Sequence, residues 1–172
     1  MTWFWYFTLY STTGFLLEVV YARLTHGRRD RKCTLLLPLC PVYGLGACAI
    51  LLLPPQIQQI PLLLAAFGAL TATVTEYIMS LFYEKVLDVS FWNYEGLPGS
   101  IRGRVCLPFS GAWGLLSLAL VYWFHPRLAI FVAQIPWPVT ILAAFTVAAD
   151  LLFSSWLLRL TGNRACLQWY RM

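Results

Sequence analysis

Three carboxylates lie inside apolar runs of the sequence, and their residue type makes them the side chains most able to do chemistry. Glu18, Glu76 and Asp150 each lie within a long hydrophobic segment. An acidic side chain in hydrocarbon costs about 3 kcal/mol even on a lenient insertion scale, so such residues are rare and usually serve a binding site, a proton path or a contact between helices. We therefore expect all three carboxylates to face the interior of a helix bundle.

Small residues accompany the acids at helical spacing. Ser11 and Gly14 precede Glu18, and Ala72 precedes Glu76. Residues three or four apart lie on one helix face, and small residues on that face let two helices pack closely. Both glutamates lie six or seven residues before the end of their apolar runs, about 10 Å from the same membrane surface. We expect the two carboxylates to be level with each other.

These positions predict a polar cavity that opens to the cytoplasm. The predicted walls are Glu18, Tyr43, Glu76 and Ser110, and Asp150 is the predicted floor. The alternative is that the acids only form structural contacts. Thr146 and Ser154 on the same helix face could satisfy Asp150, and the basic candidates for ion pairs are Lys85, Arg102 and Arg104.

The most polar stretch runs from Glu84 to Arg104 and also carries aromatic residues, among them Trp92 and Tyr94. Aromatic side chains favour the membrane interface, and Arg102 with Arg104 could meet an anionic group. Glycines in this stretch permit tight reversals but match no phosphate-binding motif. Two interpretations remain open: a solvated loop along the interface, or a re-entrant cover over the cavity.

The elements that must position these residues are membrane helices. Hydrophobic residues make up 60% of the chain and charged residues only 11%, with a mean hydropathy of +0.69. A soluble domain of this length has a smaller fraction of hydrophobic residues and a larger fraction of charged residues. A bilayer core of about 30 Å needs ~20 apolar residues per helix. We therefore predict one all-α membrane domain, 1–172, with about five spans at 3–24, 35–53, 61–83, 105–125 and 138–160, and an interfacial segment from Leu128 to Ile135.

Basic residues are distributed unequally between the two predicted membrane sides. One side has Arg127 alone, and the other has Arg23, Arg28, Arg29, Arg31, Lys32, Lys85, Arg102, Arg104, Arg159, Arg164 and Arg171. Lys and Arg accumulate on the cytoplasmic side, so we predict a multi-pass protein of the cell membrane with its amino terminus outside and its carboxyl terminus in the cytoplasm. This asymmetry and nearby anionic lipid account for the net charge of +5, and no nucleic-acid partner is expected.

Cysteine and histidine give no metal or cofactor signal. The five cysteines are odd in number and contain no Cys-x-x-Cys pair, so we expect reduced thiols rather than a disulfide framework. The two histidines, His26 and His125, lack a recognisable ligand or catalytic partner. Neither a metal nor a cofactor is predicted, and no Walker motif for ATP is present.

Several of these residues also form a pattern that resembles a known family, the putative ABC-transporter type IV or CmpB family. The resemblance covers most of the chain, and its most specific part follows the third predicted span. It rests on Gly14, Glu18, Pro41, Tyr43, Gly44, Glu76, Tyr77, Trp92, Tyr94, Gly103, Arg104, Cys106, Trp113 and Gly114. The chain departs from the expected Trp-Asp-Tyr at Asn93, so any protonation role of that acid would fall to Asp88 or Glu95.

The resemblance implies a component of a transport system, and two hypotheses follow. In the first, the cavity binds a small polar or cationic solute, and a partner subunit or an ion gradient supplies the energy. In the second, the protein is a membrane enzyme acting on lipid or isoprenoid head groups. Glu18 or Glu76 would then be a general base, Arg102 or Arg104 would hold an anionic head group, and Trp92 and Tyr94 would shape the lipid entrance. Membrane lipids are expected contacts in both cases.

Overall fold

The computed structural model describes residues 1–25 and 35–167, and these residues are predominantly helical. The helices are α1 (Thr2–Leu24), α2 (Pro41–Leu51), α3 (Pro55–Gln58), α4 (Pro61–Val86), α5 (Leu107–Ala119), a π-helical turn (Leu120–Phe124), α6 (His125–Ala133), α7 (Trp137–Thr161) and a 3-10 turn (Arg164–Leu167). The predicted all-α class is confirmed for the described residues.

Three of the helical segments are long and apolar enough to cross a membrane: Pro61–Val86, Leu107–Ala133 and Trp137–Thr161. Helix α1 is 23 residues long but falls outside this group, because its many Tyr, Trp, Thr and Ser side chains lower its hydropathy. Helix α2 has 11 residues and is therefore about 16 Å long, roughly half the hydrocarbon thickness. The prediction of about five spans is not confirmed.

Prolines and a glycine set the ends of several helices. Pro41 and Pro61 are the first residues of α2 and α4, where the missing N–H is not needed and the fixed φ suits a helix. Gly162 ends α7 in the left-handed region, with φ 58°, a conformation that costs glycine little. The chain from Leu35 to Cys40 is not helical, so the predicted span 35–53 is helical only in its second part.

The predicted interfacial segment Leu128–Ile135 is not a separate element. Helices α5 and α6 form one continuous segment, Leu107–Ala133, through the π-helical turn Leu120–Phe124. Pro126 follows this turn. A proline inside an α-helix removes one hydrogen bond and clashes with the carbonyl one turn earlier, and a π turn relieves both conflicts without ending the helix. The predicted helix end at His125 is therefore wrong.

Glycines allow the helices to approach each other closely at two crossings. A Cβ added to Gly44 in α2 would overlap the Ser11 side chain of α1. In the same way, a Cβ on Gly68 in α4 would overlap Ser117 of α5. Small residues at helix interfaces bring backbones together, which is the main source of packing energy in lipid.

Contacts between helix ends place most described basic residues at one end of the bundle. The carboxyl ends of α4 and α7 meet where Arg159 Nε donates to the Val86 carbonyl, and Tyr21 near the end of α1 contacts Phe109 near the start of α5. This end carries Arg23, Lys85, Arg102, Arg104 and Arg159. The opposite end carries Arg127. The predicted basic loop after Thr25 and the terminal Arg171 lie outside the described residues, as does the side chain of Arg164.

One cysteine departs from the expectation of reduced thiols. Cys40 is disulfide-bonded, whereas Cys48, Cys106 and Cys166 are free. An odd number of cysteines argues against a framework in which every thiol is paired, but it is compatible with one disulfide bond. The expectation is therefore wrong for Cys40, the extended residue that immediately precedes α2.

Candidate functional site

Glu18 of α1 is tied to the first turn of α2. The Tyr43 hydroxyl donates to Glu18 Oε1 over 2.8 Å. The Tyr43 ring crosses α1 at Gly14, where an added Cβ would overlap the ring. Since Gly14 and Glu18 are one turn apart, the glycine makes room for the ring and the carboxylate receives its hydroxyl. The Gly-x-x-x-Glu spacing therefore positions Tyr43.

Glu76 of α4 accepts hydrogen bonds on both carboxylate oxygens. The Tyr94 hydroxyl donates to Oε1 over 2.9 Å, and Trp113 Nε1 donates to Oε2 over 3.0 Å. The side chain is buried, with only 4% of the residue exposed. Burial, and then the neighbouring Glu76 carboxylate, raise the pKa of Tyr94 far above its usual value, so its hydroxyl stays protonated and remains a donor.

Both glutamates line one cavity of about 240 Å³ between α1, α2, α4 and α5. Tyr43 links the two sides of the cavity, because its ring packs edge-to-face against Trp113 at 5.1 Å. Tyr94 stacks on Phe109 at 4.8 Å. Six aromatic side chains line the cavity: Tyr21, Tyr43, Trp92, Tyr94, Phe109 and Trp113. The site thus combines two carboxylates with a wall of aromatic rings.

The loop between α4 and α5 supplies one wall of this cavity. Its backbone turns back on itself where the Tyr94 N–H donates to the Gly103 carbonyl over 2.8 Å, and Trp92 Nε1 donates to the Arg104 carbonyl over 2.9 Å. Phe91 anchors the loop by packing on Tyr83 of α4, with ring centroids 4.9 Å apart. The loop therefore covers the cavity with Trp92 and Tyr94.

Three other predicted site residues lie beside the cavity rather than in its lining. Arg104 forms a salt bridge with Glu84, and its guanidinium lies 5.6 Å from the Tyr77 ring centroid. The hydrogen bond to Glu84 raises the pKa of Arg104 further. Arg102 is exposed and has a positive φ of 51°. Ser110 Oγ accepts a hydrogen bond from Thr73 over 2.8 Å.

Asp150 lies on α7 and is not part of the cavity lining. Its carboxylate accepts hydrogen bonds from backbone N–H groups. Its two oxygens accept the N–H groups of Leu36 and Leu37 at 3.1 and 2.9 Å, and the Ser154 hydroxyl donates to Oδ1 at 2.9 Å. Residues 35–40 are not helical, so their N–H groups lack helical partners and need others in a medium without water. The structure does not bring Asp150 together with Glu18 and Glu76.

Sequence reasoning omitted Trp113, Phe109 and Tyr21 from the site. Their spacing held a signal, because Phe109 and Trp113 are four residues apart on α5 and Tyr21 lies three residues after Glu18 on α1. Each pair shares a helix face. The hydrogen bond from Trp113 to Glu76 depends on the crossing of α4 and α5, which local spacing does not give.

Asn93, where the chain departs from the family pattern, shapes the loop. Its Oδ1 accepts the Glu95 N–H over 2.9 Å, and its Nδ2 donates to the Glu95 carboxylate over 3.2 Å. A Cβ on Gly103, whose φ is +68°, would overlap the Asn93 amide oxygen. Asp88 and Glu95 are exposed and lie outside the cavity lining. Neither acid replaces a missing charge in the cavity.

A larger apolar groove of about 840 Å³ adjoins the cavity. Five residues line both: Leu17, Val42, Tyr43, Trp113 and Leu116. The groove follows α5 and α6 as far as Phe131 and has Arg127 near that end. Within residues 1–25 and 35–167, no group of three His, Cys, Asp or Glu side chains is placed to hold a metal ion.

Comparison with known proteins gives one match. The family described as putative ABC-transporter type IV matches residues 5–155. Neither a curated protein nor a solved structure matches the chain. The family match includes α2, α4, α5 and most of α1 and α7, and it contains every residue of the cavity described above. The chain therefore belongs to the putative ABC-transporter type IV family.

Proposed function

We propose that this protein is a component of a transport system and that it binds a small polar or cationic solute between Glu18 and Glu76. The observation that carries the proposal is the convergence of two carboxylates from different helices on one aromatic-lined cavity of about 240 Å³. Acidic side chains within a membrane bundle are costly to insert, and they commonly mark a solute or ion path.

The hydrogen bonds around the carboxylates fix their positions. Tyr43 holds Glu18, while Tyr94 and Trp113 hold Glu76. A solute with N–H groups or a positive charge would bind between them without large rearrangement, because the donors already set each carboxylate in place. The loop that carries Trp92 and Tyr94 then controls access from the end of the bundle that bears most of the described basic residues.

The proposal places this basic end in the cytoplasm, with the amino terminus outside and several helices crossing the cell membrane. The family name supports a transport role, and the chain has no Walker sequence with which to hold ATP. Energy would then come from a partner subunit or an ion gradient. Surrounding membrane lipids contact the exposed apolar helix faces.

A second candidate function is a membrane enzyme that acts on lipid or isoprenoid head groups. The groove that continues from the cavity favours it, since an apolar chain could lie there with its head beside the glutamates. Glu18 or Glu76 would act as the general base. Arg102 is exposed and could hold an anionic head group, whereas Arg104 is already paired with Glu84.

Incubation of the purified protein with extracted membrane lipids and small solutes separates the two functions. Mass spectrometry of the mixture should reveal bound solute and no new lipid over time. A lipid product that accumulates with time and requires Glu18, Glu76 or Arg102 would overturn the transport proposal. Arg23→Gln is the matched control, because Arg23 is an exposed charged residue at the basic end of the bundle that lines neither the cavity nor the groove.

A further inference from the structure

The cavity and the apolar groove form one continuous space with two chemically different parts. Tyr43 and Trp113 stand between them and line both. On the cavity side, these two rings hydrogen-bond the carboxylates of Glu18 and Glu76. On the groove side, the wall is mainly hydrocarbon and aromatic, with residues such as Ile50, Leu120 and Phe131.

The cavity suits an ammonium head group. Its wall of six aromatic rings presents π systems, which attract cations, and proteins recognise quaternary ammonium groups with such rings. Two carboxylates lie within the same wall. A volume of about 240 Å³ is enough for a head group with methyl substituents.

The groove suits a hydrocarbon chain that continues from that head group. From Trp113 to Phe131 it follows 18 residues of one helical segment, a length of about 27 Å. This is close to the thickness of the hydrocarbon core. Gly46 of α2 keeps the groove wide, because a Cβ added there meets no atom within 4 Å.

We propose that the ligand is an amphiphile whose ammonium head lies between Glu18 and Glu76 and whose alkyl chain lies in the groove along α5 and α6. The proposal rests on the proposed function, because the head occupies the same cavity. It goes further by naming the ligand class and by assigning the groove to the ligand's chain.

A series of alkyltrimethylammonium ions tests the chain site. Tetramethylammonium, butyltrimethylammonium and octyltrimethylammonium are titrated onto the purified protein in a non-ionic detergent, and native mass spectrometry measures the bound fraction. We expect affinity to rise about fourfold per methylene that enters the groove. Gly46→Leu should flatten this increase, because its side chain would fill part of the groove.

Gly111→Leu is the matched control for the groove. Gly111 is also a helical glycine whose added Cβ meets no atom within 4 Å, but it lines neither the cavity nor the groove. It should keep the wild-type dependence on chain length. If affinity depended on chain length in the same way in the wild type and in Gly46→Leu, the proposal would be overturned.

Two further probes test the head site. Glu18→Gln should weaken octyltrimethylammonium binding about tenfold, because it removes one of the two negative charges that attract the quaternary ammonium. A neutral analogue with a tert-butyl head should bind the wild type as weakly as octyltrimethylammonium binds Glu18→Gln. If the neutral analogue bound the wild type as tightly as octyltrimethylammonium does, the ammonium assignment would be overturned.

The outcomes separate this proposal from the proposed function. Glutamate-dependent binding of tetramethylammonium with no gain from longer chains would overturn the amphiphile and leave the solute cavity standing. Failure of every cation in the series would overturn the amphiphile too. If small polar solutes also fail to bind, that result would overturn the proposed function as well as the amphiphile proposal.

Discussion

At the scale of single residues, Glu76 uses both oxygens of its carboxylate as hydrogen-bond acceptors. Glu76 accepts from Tyr94 on one oxygen and from Trp113 on the other. Glu18 accepts from Tyr43 on Oε1. A glutamine offers one carbonyl oxygen and one NH₂ group, so it can accept on only one of its two terminal atoms. Glu76→Gln should therefore break one of these two hydrogen bonds to residue 76.

Glu76→Gln should destabilise the folded protein relative to the wild type. The new NH₂ group must face either the Tyr94 hydroxyl or Trp113 Nε1, which leaves one buried donor unpaired and costs about 1–3 kcal/mol. Thermal unfolding in detergent measures the difference. Glu76→Gln with Trp113→Phe removes the conflicting donor and should regain part of the loss. Wild-type stability of Glu76→Gln would contradict this account of Glu76.

Asp150→Asn should lower stability and leave solute binding unchanged. An asparagine accepts through only one of its two terminal atoms, so one of the two N–H groups, of Leu36 or Leu37, loses its hydrogen bond to residue 150, at a cost of about 1 kcal/mol. Binding per folded molecule, measured by native mass spectrometry, should match that of the wild type. Loss of binding in the folded fraction would return Asp150 to the floor of the site, where the sequence had suggested it.

The sequence predicts part of the cavity lining because depth and helix face are local properties. Glu18 and Glu76 lie at similar distances from their helix ends, and both line one cavity. Asp150 could not be assigned in this way, since its partners, Leu36 and Leu37, are more than 100 residues away in the chain. The Trp113 contact likewise depends on how two helices cross. Whether the cavity binds a solute stays a prediction.

At the scale of helices, apolar length predicted α4 and α7 closely but misjudged α2 and the α5–α6 segment. Leu35–Leu53 is apolar throughout, so composition alone does not reveal that Pro41 begins a short helix after an extended stretch. The fourth predicted span ended at His125, whereas the π-helical turn Leu120–Phe124 carries the helix past Pro126. Both differences concern backbone geometry that hydropathy does not measure.

The crossing of α4 and α5 should be sensitive to a single methyl group. Gly68→Ala would force its Cβ into the Ser117 side chain, and overpacking of this kind costs about 1–3 kcal/mol. Gly111→Ala on α5 is the control, because its Cβ meets open space. Thermal unfolding of both variants in the same detergent measures the difference. The idea of a close crossing fails if Gly68→Ala is as stable as Gly111→Ala.

At the scale of the whole molecule, the charge asymmetry predicts the orientation in the membrane. Lys85 is exposed at the basic end, and Arg127 is exposed at the other. A membrane-impermeant thiol reagent added outside intact cells should label Arg127→Cys above the level of the parent protein and leave Lys85→Cys at that level. The reverse pattern would overturn the proposed orientation, with the amino terminus then inside.

The central claim is that Glu18 and Glu76 hold one solute together, and identification of what copurifies tests it most directly. Native mass spectrometry of the protein, isolated in a mild non-ionic detergent, should detect a retained cation or a molecule with a cationic head. Glu18→Gln and Glu76→Gln should each reduce its occupancy about tenfold, while Gly111→Ala should keep it. Undiminished occupancy in both glutamate variants would contradict the claim.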